Sequence, residues 1–173
     1  MEEKSSLKII NCKEGCCKFI IEPYVENYKH SFRRGNCKKS GVCLFDKTKN
    51  KILLVMSKGN LWGIPKGSLE VNMKETFEDC ALRELKEETG VVLKEENLLY
   101  NTNVGENAFY FYSEIEEGDV KVQSNINNDA NGIGWVNLYC LEKLIKKQTI
   151  SLNYHTKIVL KAFFGKKWNF GLK

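Results

Sequence analysis

The sequence predicts a single α/β domain in which a mixed β-sheet lies between helical layers. The chain has 173 residues, enough for one domain with a buried core. Short segments rich in β-branched and aromatic residues alternate along it with two or three segments of helical apolar spacing. Strands that alternate with helices in this way favour a sheet that helices cover.

The beginning of the chain predicts an extra N-terminal β-hairpin. LKIINC and CKFIIEPY have the composition of strands, and KEGC forms the turn between them. A basic stretch follows, with five Lys or Arg residues between Lys29 and Lys39. We expect residues 1–39, the hairpin and the basic segment, to pack on a domain formed by residues 40–173.

The centre of the chain predicts two strands and a helix. SGVCLFD and KILLVMS have strand composition, and the polar sequence KTKN joins them. After LWGIPKG, a helix is expected from about Thr76 to Thr89. Thr76 and Asp79 form a capping-box pattern, and Gly90 supplies the left-handed residue that often follows a helix.

The C-terminal part predicts two further strands and two helices. NAFYFYSEI and GIGWV have strand composition, and NLYCLEKLIKK has the pattern of a short helix. The segment from Tyr154 to Phe164 has apolar residues at helical spacing and is expected to pack as a final helix.

Three carboxylates stand out on the central helix. Glu84, Glu87 and Glu88 are spaced by three and four residues, so they lie on one helical face. They would repel each other unless a cation lay among them, and oxygen ligands favour Mg²⁺ or Mn²⁺ over zinc. A solvated acidic face is the alternative, because such faces are common.

The sequence around these glutamates resembles the Nudix box, G-x5-E-x7-R-E-U-x-E-E-x-G-U, in which U is apolar. The matching residues are Gly67, Glu75, Arg83, Glu84, Leu85, Glu87, Glu88, Gly90 and Val91. Seven residues separate the first glycine from the first glutamate where the pattern has five, so the loop SLEVNMK carries an insertion. Loops before helices accommodate insertions easily. The resemblance covers roughly residues 40 to 147.

The resemblance implies a Nudix α/β/α sandwich that hydrolyses diphosphate linkages with Mg²⁺ or Mn²⁺ as its cofactor. It implies that Glu84, Glu87 and Glu88 are catalytic and bind the metal together with the carbonyl of Gly67. Glu84 or Glu88 would act as the base that activates water.

The resemblance also implies a structural role for Arg83, which it pairs with Glu75 in a buried ion pair and not with the metal. Asp129 and either Glu116 or Glu117 are further candidate ligands from a distant loop, although each is expected to be solvated.

Substrate recognition is expected to lie outside the box. The Pro-Lys-Gly triplet that ends at Gly67 resembles the mRNA-decapping branch, so the 5′ cap of mRNA is the leading substrate hypothesis. The basic stretch would contact RNA phosphates, and nearby aromatic rings would stack bases. The candidate substrate-binding residues are Lys66, Arg33, Arg34, Lys38, Lys39 and Trp62, with Tyr28 and Phe32 as further stacking rings.

Several alternatives remain open. Diphosphoinositol polyphosphates and dinucleoside polyphosphates are equally anionic substrates, so the net charge of +5 does not discriminate among them. The side chain of Trp62 has the alternative of packing the sheet. A nucleotide-binding module without catalysis is a different class of protein, but all three glutamates are present, which favours the enzyme. The oligomeric state is left open.

Cysteine usage and the N-terminus suggest a cytoplasmic protein without a membrane segment. MEEKSSLKII is too polar for a signal peptide, and seven cysteines favour reduced thiols. The spacing of Cys12, Cys16 and Cys17, with His30 and Cys37 as the nearest further ligands, fits no common zinc site. Ordinary thiols are therefore expected there.

Overall fold

The computed structural model describes residues 7–23, 37–57, 60–124 and 128–165. Within these ranges the chain forms one mixed sheet and three α-helices, which confirms the predicted α/β class. The strands are β1 (Lys8–Asn11), β2 (Lys18–Ile21), β3 (Lys39–Asp46), β4 (Lys51–Ser57), β5 (Leu61–Gly63), β6 (Lys66–Ser68), β7 (Tyr100–Asn103), β8 (Ala108–Ile115), β9 (Gly132–Asn137) and β10 (Ser151–Leu152). The helices are α1 (Phe77–Thr89), α2 (Leu138–Lys146) and α3 (Tyr154–Phe164).

The main path of the sheet runs in the order β1-β2-β9-β4-β3-β8-β7. At its centre β3 lies parallel to β8, and β4 lies antiparallel to β9. The predicted N-terminal hairpin is present, and β2 joins it to the sheet by pairing antiparallel with β9. The hairpin therefore extends the central sheet at one end.

Side chains of the central strands alternate between two buried faces. Val42 and Leu44 of β3 pack in a cluster that includes Leu85 of α1. Cys43 and Phe45, the residues between and after them, pack on the other face with side chains from α2 and α3. This alternation produces the three-layer arrangement that the sequence predicted.

Helix α1 has the predicted bounds because both of its ends are capped as expected. The hydroxyl of Thr76 accepts a 3.0 Å hydrogen bond from the backbone N–H of Asp79, whose carboxylate accepts one from the N–H of Thr76. Gly90 follows the helix with φ of 76° and donates its N–H to the carbonyl of Lys86. These caps fix the register in which the helix presents its glutamates.

The short strands β5, β6, β7 and β10 were not predicted from the sequence. Each has two to four residues, too few to show strand periodicity. Strand β6 consists of Lys66, Gly67 and Ser68, and its pairing with β3 places Gly67 opposite Ser40. Pairing with β3 thus determines the strand conformation of this segment, which carries the first glycine of the box.

No helix among the described residues is both long and apolar enough to span a membrane.

Candidate active site

A cavity of about 320 Å³ lies between the second half of α1 and the segment that contains β5 and β6. Carboxylates form one part of its wall and lysines another. The residues that line it include Lys39, Lys66, Gly67, Arg83, Glu84, Glu87, Glu88, Asp129 and Asn153. The structure therefore brings the three predicted catalytic glutamates and Gly67 to one site.

Gly67 and Glu84 lie too close for any side chain at position 67. A Cβ atom built there would lie 2.0 Å from the carboxyl carbon of Glu84. The carboxylate occupies the space that a side chain would fill, so glycine is required for the observed position of Glu84. The first glycine of the box thus makes room for a predicted ligand.

Glu88 is the most deeply buried of the three glutamates, with 5% of its surface exposed. Its Oε2 accepts a 2.9 Å hydrogen bond from the backbone N–H of Lys66. Burial, and then the nearby charge of Glu84, raise the pKa of Glu88 well above its ordinary value. Burial also raises the pKa of Glu84. A cation bound beside these two carboxyl groups would lower both pKa values and so favour the ionised forms.

The predicted pair of Arg83 and Glu75 is in contact. The guanidinium donates to both carboxylate oxygens of Glu75, with N···O distances of 2.6 and 3.0 Å. Its Nη1 also donates to Glu84 at 2.7 Å and to Glu87 at 3.1 Å. The planar fork of Arg83 therefore reaches Glu75 and two candidate metal ligands together, and its purely structural role remains a prediction.

The insertion in the box forms a turn outside the cavity. Residues Val71–Met73 form one short 3₁₀ segment, and the Met73 side chain is exposed. The backbone N–H of Glu70 donates a 2.8 Å hydrogen bond to Oε2 of Glu75. This contact closes the loop across the extra residues, so Glu75 still reaches Arg83.

Two lysines contribute positive charge to the cavity. Lys39 begins β3 and Lys66 begins β6, and both line the cavity. Burial lowers the pKa of Lys66, and the charge of Glu88 acts in the opposite direction. Lys38 does not line the cavity. Its amino group instead lies 5.9 Å from the centre of the Phe77 ring.

Trp62 belongs to the core, so its assignment as a substrate-binding residue is wrong. Its side chain is 3% exposed and packs edge-on against Phe19, with ring centroids 4.8 Å apart. As the middle residue of β5, Trp62 points to the face that α2 and α3 cover. The alternative expectation, packing of the sheet, is confirmed.

Arg33 and Arg34 lie outside the described residues, as do Tyr28 and Phe32. Their proposed contact with RNA remains a prediction from the sequence.

The three further candidate ligands have different positions. Asp129 is exposed and lines the cavity. Glu116 and Glu117 form ion pairs with Lys47 and Lys51, and neither lines the cavity. Asp129 therefore stays a candidate, and the other two are placed elsewhere.

Asn153 was not predicted as a site residue, yet it lines the cavity. It caps α3 by accepting a hydrogen bond from the N–H of Thr156. Its Nδ2 lies 1.9 Å from the position that a Cβ at Gly63 would occupy. The sequence signal for this contact would have been the match of Gly63, a glycine in a strand, with Asn153, a helix-capping residue. These two residues are ninety positions apart, so the sequence does not connect them.

The donor set of the cavity fits a hard divalent cation. Glu84, Glu87 and Glu88 present carboxylate oxygens, and burial raises the pKa values of Glu84 and Glu88. Mg²⁺ and Mn²⁺ prefer such oxygens. The three glutamates, with the carbonyl of Gly67, would hold the ion.

Comparisons with known proteins agree with this site. The family model described as NUDIX domain matches residues 37–153. A protein of Invertebrate iridescent virus 3 named "Putative hydrolase 111R" is 33% identical over 141 residues, which cover 76% of this chain and 78% of that protein. The residues that the family model matches include the whole box and both lysines of the cavity.

Two solved structures show the same fold. The NUDIX domain of Shewanella oneidensis NrtR, determined with ADP ribose, is 20% identical, covers 80% of this chain and 93% of its own, and has a TM-score of 0.54. An Ap4A hydrolase of C. elegans is 20% identical, covers 73% of this chain and 96% of its own, and has a TM-score of 0.50. Because the family model spans well over half of the sequence and includes the assembled glutamates, the chain belongs to the Nudix hydrolase family.

Proposed function

We propose that this chain cleaves a diphosphate linkage in a substrate that it holds by its phosphates, in a reaction that depends on Mg²⁺ or Mn²⁺. One observation carries the proposal. A single cavity is lined both by the three glutamates of α1 and by Lys39 and Lys66. Phosphoryl transfer mainly requires positioning and neutralisation of charge on phosphate oxygens, which such an arrangement supports.

The side chains of the cavity have different roles in the proposed reaction. A divalent cation, when bound, supplies Lewis-acid polarisation of the phosphate. Lys39 and Lys66 hold phosphate oxygens, and Glu84 or Glu88 accepts a proton from the attacking water. The water oxygen bonds to phosphorus, the bond from phosphorus to the bridging oxygen breaks, and two phosphate-bearing products leave. Arg83 orients Glu84 and Glu87 through its hydrogen bonds to both.

The 5′ cap of mRNA remains our leading hypothesis for the substrate. Its support is the Pro65–Lys66–Gly67 triplet, because Lys66 and Gly67 both line the cavity. RNA downstream of the cap would then follow the basic residues between Lys29 and Lys39.

One observation favours the diphosphoinositol polyphosphates of the second candidate class, because they carry no base. None of the described residues that line the cavity is aromatic. With Trp62 buried, the described wall contains no ring that could stack a cap base. Substrates recognised chiefly through phosphates require no such ring.

A substrate panel distinguishes these possibilities. Purified protein is incubated with Mg²⁺ or Mn²⁺ and with capped RNA, dinucleoside polyphosphates, inositol pyrophosphates, nucleotide sugars or nucleoside triphosphates. Water labelled with ¹⁸O identifies the phosphorus that is attacked. The proposal fails if no member of the panel is hydrolysed. Preferential hydrolysis of a dinucleoside or inositol substrate removes the decapping hypothesis alone.

Two adjacent lysines provide a matched test of phosphate binding. Lys39 lines the cavity, whereas Lys38 lies over Phe77. Loss of a charge-assisted hydrogen bond predicts that Lys39→Gln lowers kcat/KM by about tenfold to a hundredfold, with little change for Lys38→Gln, when the substrate is a dinucleoside polyphosphate without an RNA chain. Equal effects of the two variants would show that the cavity lysine has no special role.

A further inference from the structure

Four cysteine sulfurs come together away from the glutamates. Cys12 follows β1, Cys16 and Cys17 precede β2, and Cys140 lies in the first turn of α2. Their Sγ atoms all lie within 4.8 Å of one another. The sequence analysis did not connect Cys140 with the other three cysteines, because more than a hundred residues separate them and only the pairing of β2 with β9 brings them together.

The spacing of the sulfurs fits a tetrahedral metal site. The Sγ of Cys16 lies 3.5 Å from that of Cys12, 3.8 Å from that of Cys17 and 3.4 Å from that of Cys140. A tetrahedral Zn²⁺ with bonds of about 2.3 Å separates its sulfur ligands by about 3.8 Å. A disulfide needs a sulfur separation of only about 2 Å, which none of these pairs has.

The surroundings of the cluster suit thiolate ligands. The backbone N–H of Asn137 donates a 3.2 Å hydrogen bond to the Sγ of Cys17. Cys140 is the third residue of α2, where the positive end of the helix dipole favours negative charge. N–H groups directed at ligand sulfurs orient and stabilise metal-bound thiolates.

The cluster also lies where the fold needs support. Strand β1, the outer strand of the hairpin, is largely exposed, and its Ile9 is 47% exposed, so apolar packing holds this strand only weakly. Three of the cysteines are in the turn of this hairpin, and the fourth is in α2. The hairpin and its three cysteines lie outside residues 37–153, whereas Cys140 lies inside them, so the cluster joins the hairpin to the matched family domain.

We propose that Cys12, Cys16, Cys17 and Cys140 bind one Zn²⁺ in a closed structural site that fastens the N-terminal hairpin to α2. Four thiol groups lose their protons and bind the ion as thiolates. All four positions are taken by protein ligands, which is typical of a structural site and leaves none for a substrate. The expectation of ordinary thiols at Cys12, Cys16 and Cys17 is replaced by this proposal.

Metal analysis of the full chain is the first test. Protein purified with a reductant and dialysed against EDTA is expected to retain about one zinc ion per chain. Retention of iron in its place, absence of any metal, or a mass increase on reduction that reveals disulfides would overturn the proposal. This measurement needs no variant and therefore does not depend on the folding of one.

Cobalt substitution identifies the ligands. Co²⁺ bound by four thiolates gives sulfur-to-metal charge transfer and intense visible absorption, which a carboxylate site does not. We expect these bands in the original chain and in Glu87→Gln, because the glutamate site is separate. They should be lost or strongly weakened in Cys140→Ser, whereas Cys37→Ser, which lies outside the cluster, should retain them. Unchanged bands in Cys140→Ser would overturn the assignment.

Stability gives an independent readout. Removal of zinc by a strong thiol-competing chelator should lower the Tm of the original chain and of Cys37→Ser, and re-addition of Zn²⁺ should restore it. Hydrogen exchange should increase first in β1 and β2, the strands that the ion fastens. A Tm and a hairpin exchange rate that do not respond to chelation would contradict the proposed role.

Discussion

The backbone N–H of Lys66 donates a 2.9 Å hydrogen bond to the carboxylate of Glu88. This bond connects β6 with the last turn of α1, so the strand that carries Lys66, a proposed phosphate-binding residue, also positions Glu88, a proposed metal ligand. The two parts of the cavity wall are therefore coupled through the main chain. A change on one side is expected to affect catalysis on the other.

Charge removal at the acidic face should abolish most of the activity. Glu87→Gln and Glu88→Gln keep the side-chain volume but remove an anionic ligand, so each should lower kcat by at least about a hundredfold. Steady-state hydrolysis as a function of Mg²⁺ concentration measures this loss. The matched control is Glu106→Gln, since Glu106 is exposed and does not line the cavity. Near-normal turnover by Glu87→Gln would remove this glutamate from the catalytic set.

A methyl group at position 67 should displace Glu84. The added Cβ of Gly67→Ala would collide with a carboxylate that can swing aside, so the protein should fold but lose activity on the order of a hundredfold. Gly118→Ala is the control, because a Cβ there meets no atom within 4 Å. Circular dichroism and kcat/KM together test the prediction. Full activity of Gly67→Ala would show that the position of Glu84 is not critical.

The ion pair of Arg83 with Glu75 should be strongly coupled in stability. The side chains are 24% and 9% exposed, so removal of the arginine leaves a poorly solvated carboxylate. Arg83→Ala should lower the free energy of unfolding by about 3–5 kcal/mol. The double variant with Glu75→Gln should cost much less than the sum of the single changes. Denaturant unfolding in saturating Mg²⁺ measures the cycle, and additive effects would contradict the coupling.

The buried glutamate should make stability depend on pH in the absence of metal. Because burial raises the pKa of Glu88 in the folded state, the folded chain binds more protons than the unfolded chain above the ordinary glutamate pKa. The contribution of this group to stability is therefore present at low pH and is lost as the pH rises through the raised pKa.

Comparison with Glu88→Gln isolates that contribution. In EDTA, the stability of the original chain relative to this variant should fall as the pH rises above the ordinary glutamate pKa. Mg²⁺ should reduce the fall because a bound cation favours the ionised carboxylate. Parallel stability profiles for the two proteins, measured by denaturant unfolding, would show that Glu88 does not titrate in this way.

The sequence by itself determined the features that depend only on residues close to one another along the chain. The caps at Thr76 and Gly90 and the spacing of Glu84, Glu87 and Glu88 are local properties of one helix. Helical geometry alone places those carboxylates on one face. The longer strands were predicted for the same reason, since each contains enough residues to show its pattern.

Only the tertiary structure decided which distant residues meet. Pairing of β3 with β6 brings Lys39 to the cavity, and pairing of β2 with β9 brings the hairpin cysteines to Cys140. The same packing buries Trp62, whose aromatic ring was compatible with either a core or a binding role. Sequence patterns report periodicity within one element, whereas these contacts depend on how separate elements pair and pack. That is why the acidic face of the helix was predictable, whereas the four-cysteine cluster was not. Lys39 and Lys66 were predicted as separate substrate-binding residues, but their place beside the glutamates was not.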